Sequence, residues 1–496
     1  MPDCPAFAVA CAASLGHSRG PVGHSWIFTN LLRKKFKAIS LLLGFAFLTF
    51  LFLVIALWNR FPLMFYDTGG YLAEGLEGAF LPERSPVYSL LLYLTGGGIS
   101  LWPVVILQAA MTAYLVALTA RAEVEKLSLG QLMAAGAFLM LATGIGWYVG
   151  QVEPDCMTAL VVLGAYLLFF RSKFLGAAQT ILVAAITGLA VACHPSHLGL
   201  MAGLLAVALA LRVFFPLRVS RSRERDTANA GEADLKLPHI LPALGAFVLA
   251  LGLVFASNYV LTRQVFFSRS ASVFVFARLM QDGIVKRLLD DTCPASGYKL
   301  CAYKSRLKTR ADAWLWAPDS LFRAEGGFRG EHGEETRIVL DSIRRYPFEQ
   351  VSAAVNDSVR QFFTFKTGDG IESQEWVLKP IFEKDVPAQI PSYLAGRQQQ
   401  QGRFRFATLN MIHVTVGFLS LLGIVLLLHS AARARLWQEL TFPGLVLVAL
   451  IGNAIICGTF SNPHDRYQSR VIWLPSLVLI LARIRNPNSF QPAESG

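Results

Sequence analysis

The stretch RKKFKAISLLLGFAFLTFLFLVIALWNRFPLMFYDTGG, residues 33–70, sets the frame for the whole chain. Its middle, residues 39–58, is an uninterrupted apolar run of the length a helix needs to cross a hydrocarbon core about 30 Å thick. Arg33, Lys34, Lys35 and Lys37 stand before it, and a single carboxylate, Asp67, follows beyond its end. Continuous rather than alternating hydrophobicity selects a helix over a strand. The basic flank marks the end that stays in the cytoplasm.

Nine more runs of this kind follow, at 100–120, 129–149, 155–170, 175–193, 198–215, 238–258, 406–429, 439–459 and 470–484. The composition agrees: 54% of the 496 residues are hydrophobic, 16% are charged, and the mean hydropathy is +0.47. So much apolar surface does not fit inside one water-soluble core. A net charge of +12 would by itself suggest a nucleic-acid partner. The basic residues cluster instead at the ends of the apolar runs, so the charge is a topology signal and no nucleic acid is expected.

Counting spans forward from a cytoplasmic N-terminus tests that reading. Arg121 and Lys126, Arg171 and Lys173, the group Arg212, Arg218, Arg221, Arg223 and Arg225, then Arg433 and Arg435, and finally Arg483 and Arg485 all fall on the inner side. The short outer loops carry Arg60, Arg84, Arg466 and Arg470. The expected fold is therefore an all-α polytopic membrane protein of about ten transmembrane helices, with both termini cytoplasmic. The chain divides into a cytoplasmic N-terminal tail (1–38), spans one to seven (39–261), a polar extracytoplasmic domain (262–405), and spans eight to ten with a cytoplasmic tail (406–496). Residues 6–13 are too short and lack the basic start of a cleavable signal peptide, so the first span would serve as the anchor.

The 262–405 segment is domain-sized, and its apolar-periodic runs at 336–346 and 348–363 predict a mostly helical fold. Pro387, Pro391 and the glutamines at 398–401 suggest an irregular return to the membrane. Of seven cysteines only Cys293 and Cys301 fall in this segment, in DTCPASGYKLC. That spacing suits a disulfide in an oxidising compartment, with two free thiols as the alternative.

Once topology is assigned, unusual polar residues gather at the outer helix ends. The first outer loop holds FYDTGGYL with Asp67 and LPERSPVY with Glu83 and Arg84. The second is GQVEPDC with Glu153 and Asp155, the third CHPSH with His194 and His197, and the last SNPHDRYQSR with His464, Asp465, Arg466 and Arg470. Ionisable groups at a membrane boundary are costly unless they share a watery cavity or pair with each other. Bland readings exist for each. Asp67 before Thr-Gly-Gly fits a helix cap, Glu153 and Asp155 around Pro154 fit a helix start, and Arg466 fits an interfacial snorkel.

The order of these features resembles the GT-C superfamily of membrane glycosyltransferases, in particular its protein mannosyltransferase and aminoarabinose transferase branch. The resemblance rests on the acidic residue Asp67 after the first span, the RSPVYSLLLYL stretch, the Pro-Asp pair opening EPDCMTALVVLGAYLLFF, and the Arg-Tyr pair in HDRYQSRVIWLP. It covers residues 39–215 and 455–484. One departure is that protein mannosyltransferases have adjacent Asp-Glu in the first loop, where this chain has Asp67 and Thr68.

The resemblance implies transfer of a sugar from a polyprenyl-phosphate donor to an acceptor at the outer face of the cytoplasmic membrane, periplasmic in a Gram-negative cell. The acceptor could be protein, lipid or polysaccharide. Asp67 would be the general base, and Arg84, Arg466, His194 and His464 would hold the donor phosphate. Glu153 and Asp155 would contact the acceptor or a divalent cation, Mg or Mn. A polytopic transporter or lipid flippase, or a non-catalytic envelope assembly scaffold, is the alternative. Transporters bind nearer the midplane and often repeat internally, and no repeat is evident in this sequence.

Overall fold

A computed structural model describes residues 42–223, 237–400 and 404–486, with side chains omitted for 215–223. The basic flank at 33–37, Cys4 and Cys11, the basic side chains between 218 and 225, and both terminal tails lie outside the described residues. Among those described, the chain is all-helical, and its one β-type contact is a bridge between Leu63 and Gln151.

Each of the ten apolar runs coincides with a helix. Six of these are long and apolar enough to cross a membrane: α1 (Leu42–Asn59), α4 (Trp102–Glu123), the Pro195–Phe214 part of α9, α10 (Ile240–Thr262), α19 (Phe406–Arg433), and Trp437–Phe460, which contains α20 (Thr441–Phe460). The other four runs form shorter helices: α5 (Leu129–Ala142), which breaks before the short α6 (Ile145–Val149), α7 (Met157–Phe170), α8 (Ala177–Ala192) and α22 (Leu474–Arg485).

The reason for the difference is clearest in α7. Its 14 residues rise about 21 Å, less than the hydrocarbon thickness. Every residue from Met157 to Phe169 is buried, with α4, α8, α9, α10 and α20 packed around it. A helix that is apolar on all sides is one enclosed on all sides, and here protein encloses it rather than lipid.

The connections gather at two ends of this bundle. At one end Glu123 of α4 pairs with Arg171 (2.5 Å) and Arg485 (3.1 Å), and Arg485 also meets Glu439 (3.3 Å). At the other end α2 (Thr68–Glu77) and α3 (Pro86–Leu94) form a helical hairpin. Its turn is held from inside by buried Glu74, which accepts from Leu81 N (3.0 Å) and Ser89 Oγ (2.7 Å).

The segment expected as one polar domain is built from two parts. Helices α11 (Ala271–Gln281), α12 (Ile284–Thr292), α13 (Ala311–Trp316), α14 (Leu321–Ala324) and α15 (Gly333–Arg345) enclose their own core around Phe276, Trp314, Phe322 and Ile338. Cys293 and Cys301 are joined by a disulfide there. The rest, α16 (Pro347–Phe362), α17 (Glu375–Asp385) and α18 (Ile390–Leu394), packs on the bundle, and Leu378, Phe382 and Tyr393 belong to the bundle's core. The return to the membrane is short helical turns, with Gln398 buried and bonded to both backbone groups of Met64.

Candidate functional site

The arrangement starts from Asp67. It occupies the N-cap position of α2 but makes no capping hydrogen bond. Its carboxylate turns instead to Arg84 (3.0 Å), and Arg466 lies 3.6 Å from its second oxygen. The glycines after it serve close approach rather than a turn. A Cβ on Gly69 would fall 2.4 Å from Ile381 of α17, and one on Gly70 would fall 2.7 Å from Arg84 Nε. Gly70 thus lets the Arg84 guanidinium lie across the start of α2, where it also faces the Tyr71 ring at 5.1 Å.

The second loop is tied to the first by backbone. Leu63 N donates to Gly150 O and Val152 N to Leu63 O, both at 2.9 Å. Thr68 Oγ1 donates to Val152 O (3.0 Å) and lies 3.4 Å from Glu153 Oε1. Glu153 makes no capping bond to the turn Pro154–Cys156 that follows it. Asp155 is almost wholly buried, with Arg470 Nη1 2.6 Å from one oxygen and Arg466 Nε 3.7 Å from the other.

Arg466 and Arg470 lie four residues apart across α21 (Asp465–Ser469), so both reach Asp155 from one helix face. Arg470 is fully buried, and Arg466 stacks over Phe65 at 4.0 Å. Asp369 fixes the start of that helix by accepting from Arg466 N (3.1 Å). Gly370, at φ +70°, brings the 366–370 strap against the Phe65 ring, where a Cβ would fall 1.8 Å away.

Electrostatics follow from this packing. Burial pushes the Asp67 carboxyl up, but Arg84 and Arg466 outweigh burial and hold it below its ordinary range, so it is ionised at neutral pH. Burial, reinforced by Asp67, pushes Glu153 well above the usual carboxyl range. Three guanidinium groups face three carboxylates: Asp67 and Asp155, at 2.6 to 3.7 Å, and Glu83, whose Oε1 lies 4.0 Å from Arg84 Nε. The Nε atoms of Arg84, Arg466 and Arg470 are buried with no hydrogen-bond acceptor among the described residues. These unbonded N–H groups are donors that an anion can take.

The histidines separate into three environments. Burial, with Arg470 and Arg466 adding to it, pushes His194 down to about 3, so it is neutral, and its Nδ1 is 2.8 Å from Ser196 Oγ. It can offer a phosphate a hydrogen bond but no charge. His197 is buried with both ring nitrogens engaged, by Thr158 Oγ1 (2.6 Å) and Ala190 O (2.8 Å), and is a packing residue. His464, grouped by sequence with Arg466, points away from the arginines, 3.4 Å from Asp312 and 3.6 Å from Asp369. His464 ends the extended stretch before α21 and faces Asp312 together with Asn462, two residues earlier, whereas Arg466 leaves from the helix itself.

Sequence reading placed Asp67, Arg84, Asp155, Glu153 and Arg466 at the same helix ends, and the fold brings all five together. It passed over Arg470 as a functional residue, although its four-residue spacing from Arg466 was a usable signal. It also passed over Asp369, whose one local hint is the Gly-Asp-Gly of the strap.

Among the described residues no group of three or more His, Cys, Asp and Glu side chains converges to hold a metal ion. Glu153 and Asp155 do not fit a divalent cation as arranged, because guanidinium groups already face both Asp155 oxygens. A cavity of about 750 Å³ is lined by Glu372, Trp376, Lys379, Arg397, Gln398 and Phe404, among others. Tyr66, next to Asp67, donates its hydroxyl to Glu372 at its edge. No family model, curated protein or solved structure matches the chain.

Proposed function

We propose that this chain is a GT-C-like membrane glycosyltransferase that moves a sugar from a polyprenyl-phosphate donor to an acceptor hydroxyl at the membrane surface. One observation supports this above the others. An ionised carboxylate unused by its own helix, Asp67, shares a cluster with three guanidinium groups drawn from loops at opposite ends of the chain.

In this reading Asp67 accepts the proton of the acceptor hydroxyl as its oxygen bonds to the anomeric carbon. The bond from that carbon to the phosphate oxygen breaks, and the bonding pair leaves with the prenyl phosphate. Arg84, Arg466 and Arg470 stabilise the charge that develops there, being already oriented and largely dry. Glu153 and neutral His194 are suited to hydrogen bonds with the sugar or phosphate. No step requires a cation at Asp155.

The test is transfer of radiolabel from a panel of polyprenyl-phosphate sugars in membranes containing wild type or Asp67→Asn, with and without a chelator. Wild type is expected to transfer from at least one donor and the variant to lose on the order of 10²-fold or more, the scale of general-base catalysis. Chelation is expected to leave transfer unchanged. No transfer across the panel, or full activity in Asp67→Asn, would overturn the assignment in favour of a transporter, flippase or scaffold.

A further inference from the structure

Helix α16 carries a surface that its place in a polar domain does not explain. One side is buried on the bundle. It packs along α20 so closely that a Cβ on Gly458 would fall 2.7 Å from the backbone of Asp357 and Ser358. Asp357 and Gln361 point inward on that side.

The opposite side is apolar and open. Phe348, Val351, Val355, Val359 and Phe363 recur at intervals of three or four residues and are 54% to 86% exposed. This spacing makes a single stripe along the helix. A second exposed row, Ser352, Asn356 and Arg360, runs beside it and is polar. A helix divided lengthwise in this way suits a boundary between hydrocarbon and water.

The surroundings say which apolar medium meets the stripe. Phe363 stacks on Phe418 of α19 with ring centres 6.3 Å apart, and α20 beneath it exposes Ile451 and Ile455. Both α19 and α20 belong to the helices long and apolar enough to cross a membrane. The stripe therefore continues the surface that those helices present to lipid. Arg344 and Arg345 are exposed just before α16, where anionic headgroups would attract them.

We infer that α16 is a lipid-contacting interfacial helix, its valine and phenylalanine stripe in the acyl-chain boundary and its Ser-Asn-Arg row at the headgroups. One consequence reaches the candidate site. Gln361 at the end of α16 donates from Nε2 to His464 O and accepts from His464 N, both at 2.8 Å. A helix held by lipid thus holds the loop that presents Arg466.

The test uses the full chain in proteoliposomes, with Cys4 and Cys11 replaced by serine and the buried Cys156, Cys193 and Cys457 retained. Single cysteines at Val351, Val355 and Val359, and in a second set at Ser352, Asn356 and Arg360, carry nitroxide labels. Collision with oxygen, which partitions into lipid, is compared with collision with a water-soluble nickel chelate. The inference expects the oxygen-to-nickel ratio to be higher at all three valine positions than at the polar ones. Equal ratios in the two sets would mean a helix in water. Valine labels shielded from both reagents would mean a protein partner, such as a second copy of the chain. Either result overturns the inference.

Discussion

A buried charge is tolerated only in company, and Arg470 shows how narrowly that condition is met. Its guanidinium is fully buried and its main partner is Asp155, with Asn453 Oδ1 a weaker acceptor at 3.4 Å. Arg470→Met leaves Asp155 with only the longer Arg466 contact at 3.7 Å, and breaking a buried pair from one side costs about 3–5 kcal/mol. The expected result is a large fall in melting temperature of the detergent-solubilised protein. Adding Asp155→Asn should recover much of that stability while transfer stays lost, because the guanidinium is still missing. Recovery of both would show Arg470 to be structural alone. Gly70 offers a milder probe at the same scale. In Gly70→Ala the added methyl displaces Arg84 from across α2, at an overpacking cost of about 1–3 kcal/mol. A drop in transfer that exceeds the loss of stability is expected, measured as initial rate against melting temperature.

At the scale of elements, the loop between α20 and α22 is held by its neighbours rather than by itself. His464 is its fastening to the domain, clasped by Asp312 from α13 and Asp369 from the strap. Burial lowers its proton affinity, but the two carboxylates outweigh burial and bring it up to about 9 from an ordinary value of 6.5. The folded state therefore binds the proton more tightly than the unfolded chain does. Its stabilising contribution is complete below about pH 6.5 and is lost as pH rises through about 9. Melting temperature should decline across that window in wild type, with a smaller decline in His464→Gln. A parallel decline in the two proteins would remove His464 from the account. Arg466 N donates to Asp369, so the same alkaline loosening should weaken transfer before the fold is lost.

Across the whole molecule, what was legible in the sequence was what hydropathy and spacing report directly. All ten apolar runs became helices, and the acidic and basic residues at their ends converged. Hydropathy reports that a segment avoids water without saying what replaces it. Hence α7, enclosed by protein, reads the same as a helix in contact with lipid, and the apolar period of α16 reads as domain core although its stripe lies open. Topology puts distant partners on one side, but the individual pairings were hidden. Nothing near Arg466 says that it meets Asp67 and Asp155 rather than another outer-loop carboxylate, and the division of residues 262–405 between two cores depends on which helices meet. That division has a measurable consequence. Residues 270–346 enclose their own core, and the Cys293–Cys301 bridge lies within it. Replacing both cysteines by serine frees a short loop in the unfolded chain, worth about 2–3 kcal/mol in the chain-entropy account. If the two cores melt separately, that loss falls on one transition. Differential scanning calorimetry should show the domain transition move down while that of the bundle stays in place, with transfer retained at low temperature. A single transition shifting as a whole would mean that α16 and α17, which join the domain to the bundle, couple the two cores into one cooperative unit.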